Sequence, residues 1–421
     1  MNLYPLYQLD VKIHSLGKAQ IYLAFLWLNR ILHRRYTAIG MLSAALLMLI
    51  PSPVSAKGGN GKKSGIVKLV YGLKNLIDTM AVSGLDPEYI YAPERPWQII
   101  AKSNVNQSIL KMKSTVNGDL IFGEGMGETL WESRIKTEAA VYVGLWAGYR
   151  GYGLGYYKNV RGDKGSYLTL GATGGRYGVN VRIHNFETKK PLIHFKGDYD
   201  GIPIDVEDEV ELFEPISVHT VIADGYYLFN GKRFSYSAAY DQAVVQRRSA
   251  GSLMAGAMFY HISIDYAKDR NAGFINLMND IGRFKQWLGG VGVGYAYNFV
   301  PAKGLLINAM AMPVLVFYNR STAYMYDSNV NKLLNPEDFM NEYEENETGE
   351  LADKFKITPN GKSSKNNNVT VNYNARMSIV YNWKRFFVNA TGQFNHFRYK
   401  KDRYNGWLND WFVNVSLGIR L

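Results

Sequence analysis

The side chains best suited to catalysis are the five histidines that follow the predicted signal peptide, at positions 184, 194, 219, 261 and 396. A hydrolytic site needs such a base within hydrogen-bond reach of a nucleophile, together with a third group that orients the base. The sequence contains no Gly-x-Ser-x-Gly or comparable setting for a nucleophile. His184 alternates in step with Asn180 and Arg182, so a polar residue facing an interior is the simpler interpretation. A lipid-modifying hydrolase is therefore retained only as a second alternative function.

Acidic side chains and glycines offer two further kinds of site. Hard oxygen ligands of the type that bind calcium are concentrated at Asp198, Asp200, Asp205, Glu207, Asp208, Glu209 and Glu211. Their spacing is not that of an EF-hand, and the same holds for the acidic residues 337–350, so solvated loops are expected at both places. The glycine-rich residues 148–155 lack the strand-to-helix context of a phosphate-binding loop. No metal and no cofactor is predicted.

Four arginines are the most interesting charged group, because alternation places each on the polar side of a predicted strand. They are Arg150, Arg182, Arg376 and Arg420. Arginine suits bidentate capture of carboxylate or phosphate, and charges inside a barrel tune its selectivity. One interpretation is a small pore for anionic solutes. The other, slightly favoured for a narrow barrel, is that these arginines pair with other interior side chains and help to plug the lumen.

The elements that must position these residues are clearest in the last stretch, residues 368–421. Apolar residues from Val369 to Trp383 alternate with Thr, Asn, Arg and Ser, and two further segments, 386–395 and 411–421, repeat the pattern. Successive strand residues point to opposite faces, so each segment has an apolar face and a polar face. Strands of about ten residues with aromatic ends are typical of a transmembrane β-barrel, whose closure also removes exposed edges.

Counting from residue 139 predicts an all-β, antiparallel, up-and-down barrel of about twelve strands. The predicted strands are 139–149, 152–157, 166–173, 177–186, 217–229, 234–241, 252–266, 288–299, 304–318, 369–383, 386–395 and 411–421. Single-chain barrels usually have short turns at the end where the C-terminus lies and longer loops at the opposite end. With twelve strands, the tight turns near Arg150, Gly174 and Asn230 instead fall at the end that should carry the long loops. Adding residues 97–113 and a strand within 268–285 gives an alternative of fourteen.

Composition supports this class. The 421 residues include 31 Tyr, 8 Trp, 41 Gly and no Cys, with a mean hydropathy of −0.19. A helical membrane protein would need repeated apolar runs of about 20 residues, and a soluble β-sandwich would have strands nearer the usual length of about 5 to 6 residues. The net charge of +12 is scattered and comes with no nucleic-acid-binding motif, so no nucleic acid is predicted as a partner.

The N-terminal region predicts export. Arg34 and Arg35, an apolar run and Val54-Ser55-Ala56 resemble a signal peptide over residues 34–56, cleaved after Ala56. Residues 1–33 are interpreted as an over-annotated or dispensable N-terminus. Residues 57–96 are expected to be a linker and periplasmic segment with an amphipathic helix near 66–82, and residues 97–421 the outer-membrane barrel domain.

Several short segments of the sequence resemble the domain of unknown function 4421 family. They lie at residues 95–97, 226–240, 246–252 and 294–299. The family is found in Bacteroides-type bacteria, and the resemblance implies an outer-membrane barrel without catalytic or binding residues to transfer. The family-motif candidates are Phe234, Tyr236, Ala238, Ala239, Gln242, Gln246, Ser249 and Gly251.

The function expected from the sequence is that of a structural, binding or interaction component in the outer membrane of a Gram-negative bacterium. The anion pore with its arginine-lined lumen is the first alternative and the hydrolase the second. The expected partners are outer-membrane lipid, the barrel-assembly machinery through the C-terminal strand, and an anionic small solute. The interior candidates for a site are Arg150, Arg182, His184, Arg376 and Arg420.

Overall fold

The computed structural model describes residues 84–117, 128–199, 202–278, 280–330, 350–401 and 404–421. The predicted signal peptide, the residues upstream of it, the helix near 66–82 and acidic residues 337–349 lie outside the described residues. No helix in the described part of the chain is both long enough and apolar enough to cross a membrane.

The described chain is mostly β-strand. In chain order the strands are β1 (Ile90–Tyr91), β2 (Trp97–Asn117), β3 (Glu128–Lys136), β4 (Ala140–Tyr149), β5 (Tyr152–Arg161), β6 (Lys164–Thr173), β7 (Tyr177–Thr188), β8 (Leu192–Tyr199), β9 (Ile202–Glu209), β10 (Ile216–Leu228), β11 (Val245–Gln246), β12 (Ala250–Asp265), β13 (Ile281–Ala302), β14 (Leu305–Ser328), β15 (Ile357–Asn366), β16 (Thr370–Trp383), β17 (Phe386–Lys401) and β18 (Tyr404–Arg420). Two short helices are α1 (Tyr236–Tyr240) and α2 (Ala272–Leu277), the second preceded by a 3-10 turn at Asp269–Asn271.

Twelve antiparallel strands close into a barrel, which confirms the predicted fold class and strand number. Its members follow the order β2, β4, β5, β6, β7, β10, β12, β13, β14, β16, β17 and β18. The closing seam joins the first to the last, with Gln98 opposite Arg420 and Ser114 opposite Tyr404. Closure satisfies the hydrogen-bonding groups that an open sheet would leave at two edges.

The favoured set of twelve strands was wrong at two places, which cancel in the count. Residues 97–113, included only in the fourteen-strand alternative because their alternation is poor, belong to β2 of the barrel. Residues 234–241, predicted as a strand, instead contain helix α1. The alternative of fourteen strands is also wrong, because residues 268–280 hold the 3-10 turn and α2 before β13 begins.

These corrections remove the conflict over the two ends of the barrel. Short turns after β4, β6, β13 and β16 all lie at the end where β2 begins and β18 finishes, which we call the turn end. The segments after β2, β7, β12 and β14 lie at the opposite end, the loop end. Here β3 continues the sheet alongside the far half of β2, β8 and β9 extend it further, and β15 pairs with the far half of β14.

The two faces of the barrel wall differ sharply in exposure. On β13, Val291, Val293 and Tyr295 point outward and are exposed, while Leu288, Ala296 and Asn298 are buried inside. On β16, the outward Met377 and Ile379 are exposed in the same way. The outer surface is therefore apolar, and the packed core lies in the lumen.

Inside the lumen, one wall is apolar and another carries amides. The apolar wall is built by β10, β12, β13 and β14, and its buried side chains include Ile222, Met254, Met258, Leu288, Met310, Met312, Val314 and Val316. The amide wall is built by β16, β17 and β2, and its buried side chains include Asn372, Asn374, Asn389, Asn395, Asn104 and Asn106. Small residues make room for large ones, as at Gly418, where an added Cβ would lie 2.1 Å from the Phe387 ring.

Candidate functional site

The lumen at the turn end is occupied by the chain between β10 and β12, residues 229–249, which we call the plug. A turn at Asn230, whose carbonyl accepts from Phe234 N at 3.0 Å, directs this chain inward. Ser235 then caps α1 by accepting from Ala238 N at 3.1 Å. The sequence here has the alternation typical of a strand, with Phe234, Tyr236 and Tyr240 separated by Ser235 and Ser237. The local cap and turn geometry instead produces one helical turn within the barrel.

An ion pair across the lumen lies against the plug. Arg376 on β16 donates from Nη2 to Asp224 Oδ1 on β10 at 2.8 Å, and the two side chains are only 8% and 10% exposed. Arg376 also donates to the hydroxyl of Tyr236 in α1, and Asn180 donates to Asp224 Oδ2 at 3.1 Å. A charge pair enclosed in this way requires satisfied partners, because an unpaired charge in a low-dielectric interior is strongly unfavourable.

Asp241, at the end of α1, links the plug to the barrel wall. Its carboxylate accepts from the hydroxyls of Ser237 and Thr173 and from Ala243 N at 3.1 Å. Its backbone carbonyl accepts from Gln98 Nε2 on β2 at 3.0 Å. Burial raises the pKa of Asp241 to about 6, although the hydroxyl and amide donors pull in the opposite direction.

Arg420, near the end of β18, fastens the next turn of the plug. It donates from Nε and Nη2 to the carbonyl of Gln242 at 3.1 and 2.8 Å, and from Nη2 to Asn382 Oδ1 at 2.7 Å. Its guanidinium lies 4.7 Å from the centre of the Phe387 ring. Gln242 itself adopts a positive φ of 56°, and this bend returns the chain towards β12.

Gln246 ties both ends of the plug together. Its Oε1 accepts from Ser235 N and from Asn298 Nδ2, each at 3.0 Å. Its Nε2 donates to the carbonyls of Arg233 and Arg248 at 2.6 and 2.9 Å. At the foot of β12, Ser249 Oγ accepts from Val300 N at 2.9 Å.

Amides on the barrel strands complete the attachment. Asn389 donates to the carbonyl of Ala239 at 2.9 Å, Asn298 donates to the carbonyl of Ser235 at 2.8 Å, and Tyr240 donates to Asn308 Oδ1 at 2.6 Å. Sequence reasoning missed all three asparagines. A usable signal was present, because asparagine is disfavoured in strands and here occupies inward positions.

The family-motif candidates converge on this site. Phe234, Tyr236, Ala238, Ala239, Gln242 and Gln246 are buried residues of the plug, and Ser249 and Gly251 lie where the plug meets β12. At Gly251 an added Cβ would meet the hydroxyl at the end of the exposed Tyr295 side chain, which would have to move.

The interior candidates divide into three groups. Arg376 and Arg420 hold the plug, as described. Arg182 on β7 lies between the rings of Tyr167 and Phe412, 4.8 and 4.5 Å from their centres, and His184 shares a 2.9 Å hydrogen bond with the Tyr142 hydroxyl. Arg150 does not lie on a strand as predicted. It occupies the turn after β4 with a positive φ of 48°, because the chain reverses there.

The N-terminal residues cover the plug from the turn end. Strand β1 pairs with β11, placing Ile90 opposite Gln246. Ile90 packs in a buried cluster with Ala238, Ala239 and Val244 of the plug. Asp86 forms an ion pair with Arg233 at 3.2 Å. The plug therefore has protein on both sides.

Four histidines in the described part of the chain bond to groups other than a serine hydroxyl. His194 bonds to Asp205 at 2.6 Å, His396 to Asn409 at 2.7 Å and His261 to the carbonyl of Gln286 at 3.0 Å. None of these bonds, nor that of His184, involves a serine hydroxyl. Within the described residues, no cluster of three or more His, Asp or Glu side chains could hold a metal ion.

A family model described as "Domain of unknown function (DUF4421)" matches residues 104–420. No curated protein matches the chain. Among solved structures, the outer membrane protease OmpT from Escherichia coli is similar at 8% identity, with 79% of this chain and 98% of that chain covered and a TM-score of 0.33. The translocator domain of autotransporter NalP from Neisseria meningitidis is 8% identical, with 85% and 97% covered and a TM-score of 0.28. The beta domain of the Bordetella autotransporter BrkA is 10% identical, with 76% and 100% covered and a TM-score of 0.26. Since these TM-scores are low, the architecture rests on the strand pairings of the chain itself.

Proposed function

The chain belongs to the family described as domain of unknown function 4421, and from its lumen we propose that it is an outer-membrane β-barrel kept closed by its plug. In this proposal it serves as a structural, binding or interaction component of the membrane and not as an open pore. The observation that carries the proposal is the attachment of the plug. Buried side chains on β2, β13, β14, β17 and β18 hydrogen-bond to residues 229–249. The ion pair between β10 and β16 lies against the same residues.

Insertion into a membrane is supported by the outer surface. Val293, Met377 and Leu417, on three different strands, are 63%, 62% and 54% exposed. A water-soluble protein rarely exposes a continuous apolar surface of this extent, whereas the lipid-facing side of a barrel requires one. The amide wall and the ion pair lie on the opposite, inward side.

Orientation and export follow the usual arrangement of single-chain barrels. Short turns lie on the periplasmic side and longer loops outside, so the turn end and the plug face the periplasm. Export by a signal peptide cleaved after Ala56 and assembly by the barrel-assembly machinery through β18 complete the proposal.

The arginine-lined pore is the less favoured candidate. Arg376 donates to Asp224 and to the Tyr236 hydroxyl, and Arg420 donates to Asn382 and to the carbonyl of Gln242, so both guanidiniums are already engaged inside the lumen. Arg182 is held between two aromatic rings. The arginines therefore support closure of the lumen more than conduction through it.

Conductance in planar bilayers of neutral lipid tests this proposal. We expect the intact protein to show little steady conductance, and a variant with residues 232–248 replaced by a short Gly-Ser turn to conduct continuously. The matched control removes the β8–β9 hairpin at the loop end, whose acidic side chains Asp205, Glu207 and Glu209 are exposed, and should remain closed. Steady anion-selective conductance of the intact protein that reverses on Arg182→Glu would instead establish the pore. Lipid hydrolysis abolished by replacing one histidine would establish the enzyme.

A further inference from the structure

Three exposed cations lie on two neighbouring turns at the turn end. Lys303 is in the turn between β13 and β14, and Lys384 and Arg385 form the turn between β16 and β17. The turns are adjacent because β14 pairs with β16, with Leu305 opposite Tyr381. The ion pairs recorded at this end within the described residues, Arg233–Asp86 and Arg248–Glu88, use none of the three.

Aromatic side chains lie immediately beside these cations on the outer face. The rings of Tyr381 and Trp383 stack at 5.8 Å, and those of Trp383 and Phe386 at 5.9 Å. The Arg385 guanidinium lies 5.2 Å from the centre of the Phe386 ring. Tyrosine and tryptophan girdles mark the depth of lipid headgroups in membrane barrels. Cations one residue beyond such a girdle are therefore at the level of the phosphates.

We propose that Lys303, Lys384 and Arg385 form a binding site for the phosphate of an anionic phospholipid in the leaflet at the turn end. The inference rests on the proposed insertion into a membrane. A guanidinium can hold two phosphate oxygens at once, while the two ammonium groups add compact charges nearby. A soluble acidic protein fits this place less well, because the aromatic girdle would draw the same surface down to the lipid.

The test compares lipid association for two charge-matched variants. Each protein is reconstituted in phosphatidylcholine vesicles containing spin-labelled phosphatidylglycerol or spin-labelled phosphatidylcholine, and electron spin resonance measures the motionally restricted fraction of each. The site variant is Lys303→Gln, Lys384→Asn, Arg385→Gln, with Asn chosen because Lys384 has a positive φ of 52°. The control variant, Lys354→Gln, Lys362→Gln, Lys365→Gln, removes three exposed cations at the loop end.

For the intact protein and the control variant we expect phosphatidylglycerol to be preferred by at least about five-fold, since even one of the three cations contributes on the order of such a factor near an anionic surface. The site variant should fall to near parity. Equal loss in both variants would overturn the site in favour of general electrostatic attraction, and parity in the intact protein would overturn it in favour of a soluble partner. Flotation of the vesicles separates the two hypotheses, because protein that fails to float contradicts membrane insertion, whereas floating protein without a preference contradicts only the lipid site.

Discussion

The plug and the hairpin β8–β9 both make polar contacts, but in opposite surroundings. The plug contacts buried groups, and the ion pair beside it is about nine-tenths removed from solvent. The hairpin carries Arg134–Glu207 at 2.7 Å and Lys196–Asp205 at 3.2 Å, with side chains between 31% and 62% exposed. Similar distances therefore imply different energies, since water screens one set of charges and is excluded from the other.

The largest expected effect is on the buried ion pair. Arg376→Gln or Asp224→Asn alone should lower the free energy of unfolding by about 3–5 kcal/mol, because each leaves an enclosed charge without its partner. Urea unfolding in lipid vesicles, followed by tryptophan fluorescence, measures this loss. The double variant should be less unstable than the sum of the two single variants. Additive losses would mean that the pair is not coupled and that the contrast with the hairpin is overstated.

Packing around the plug gives the next effect. Gly418→Ala would push a methyl group against the Phe387 ring, which lies beneath Arg420, and we expect a loss of about 1–3 kcal/mol in the same measurement. Gly392→Ala on the neighbouring strand is the control, because nothing lies within 4 Å of its added Cβ. Equal stability of the two variants would show that the turn end can relax around the plug.

Acid should strengthen both ends of the barrel, over different intervals. Burial raises the pKa of Asp241 in the plug to about 6 and that of Asp163, in the turn between β5 and β6, to about 7. A carboxyl with a raised folded-state pKa binds its proton more tightly in the folded state. Stability therefore rises as the pH falls through the folded value towards the unfolded value near 4.

Asn substitutions separate the two contributions. Asp241→Asn should remove the part of the gain that develops between about pH 6 and 4, on the order of 3 kcal/mol. Asp163→Asn should remove the part that begins nearer pH 7. Midpoints of urea unfolding measured from pH 8 to pH 4 give both. If Asp241→Asn kept the wild-type dependence of the urea midpoint on pH, this would contradict the enclosed position of that carboxyl.

The smallest effect is expected at the hairpin. Arg134→Gln should change the free energy of unfolding by less than about 1 kcal/mol, and raising the salt concentration should erase even that difference. A loss comparable to that of Arg376→Gln would break the distinction between the two regions.

Much of the barrel could be predicted from the sequence because outward and inward residues alternate without reference to distant contacts. The predicted strand 288–299 lies wholly within β13, and 369–383 nearly coincides with β16. Strand β2 was left out of the favoured set of twelve because Lys102, Ser103 and Asn104 place polar residues on both faces. Residues 234–241 were wrongly predicted as a strand, because their alternation is also compatible with a helical turn once Ser235 caps it.

The site was predictable only in part. Alternation placed Arg376 and Arg420 on the inward face, and the family resemblance drew attention to Gln242 and Gln246. The partners could not be predicted from the sequence, because Arg376 and Asp224 are 152 positions apart and meet only when the strands between them pair in register. Strand pairing and closure of the barrel determine such contacts, and no local pattern encodes them.

The seam between β2 and β18 has a consequence for biogenesis. The first and last strands of the barrel pair along nearly their whole length. A polypeptide interrupted before β18 therefore keeps two unpaired sheet edges, however well its middle has formed. Closure of the barrel therefore requires the chain through β18, and a product truncated before it would expose unpaired backbone groups on β2.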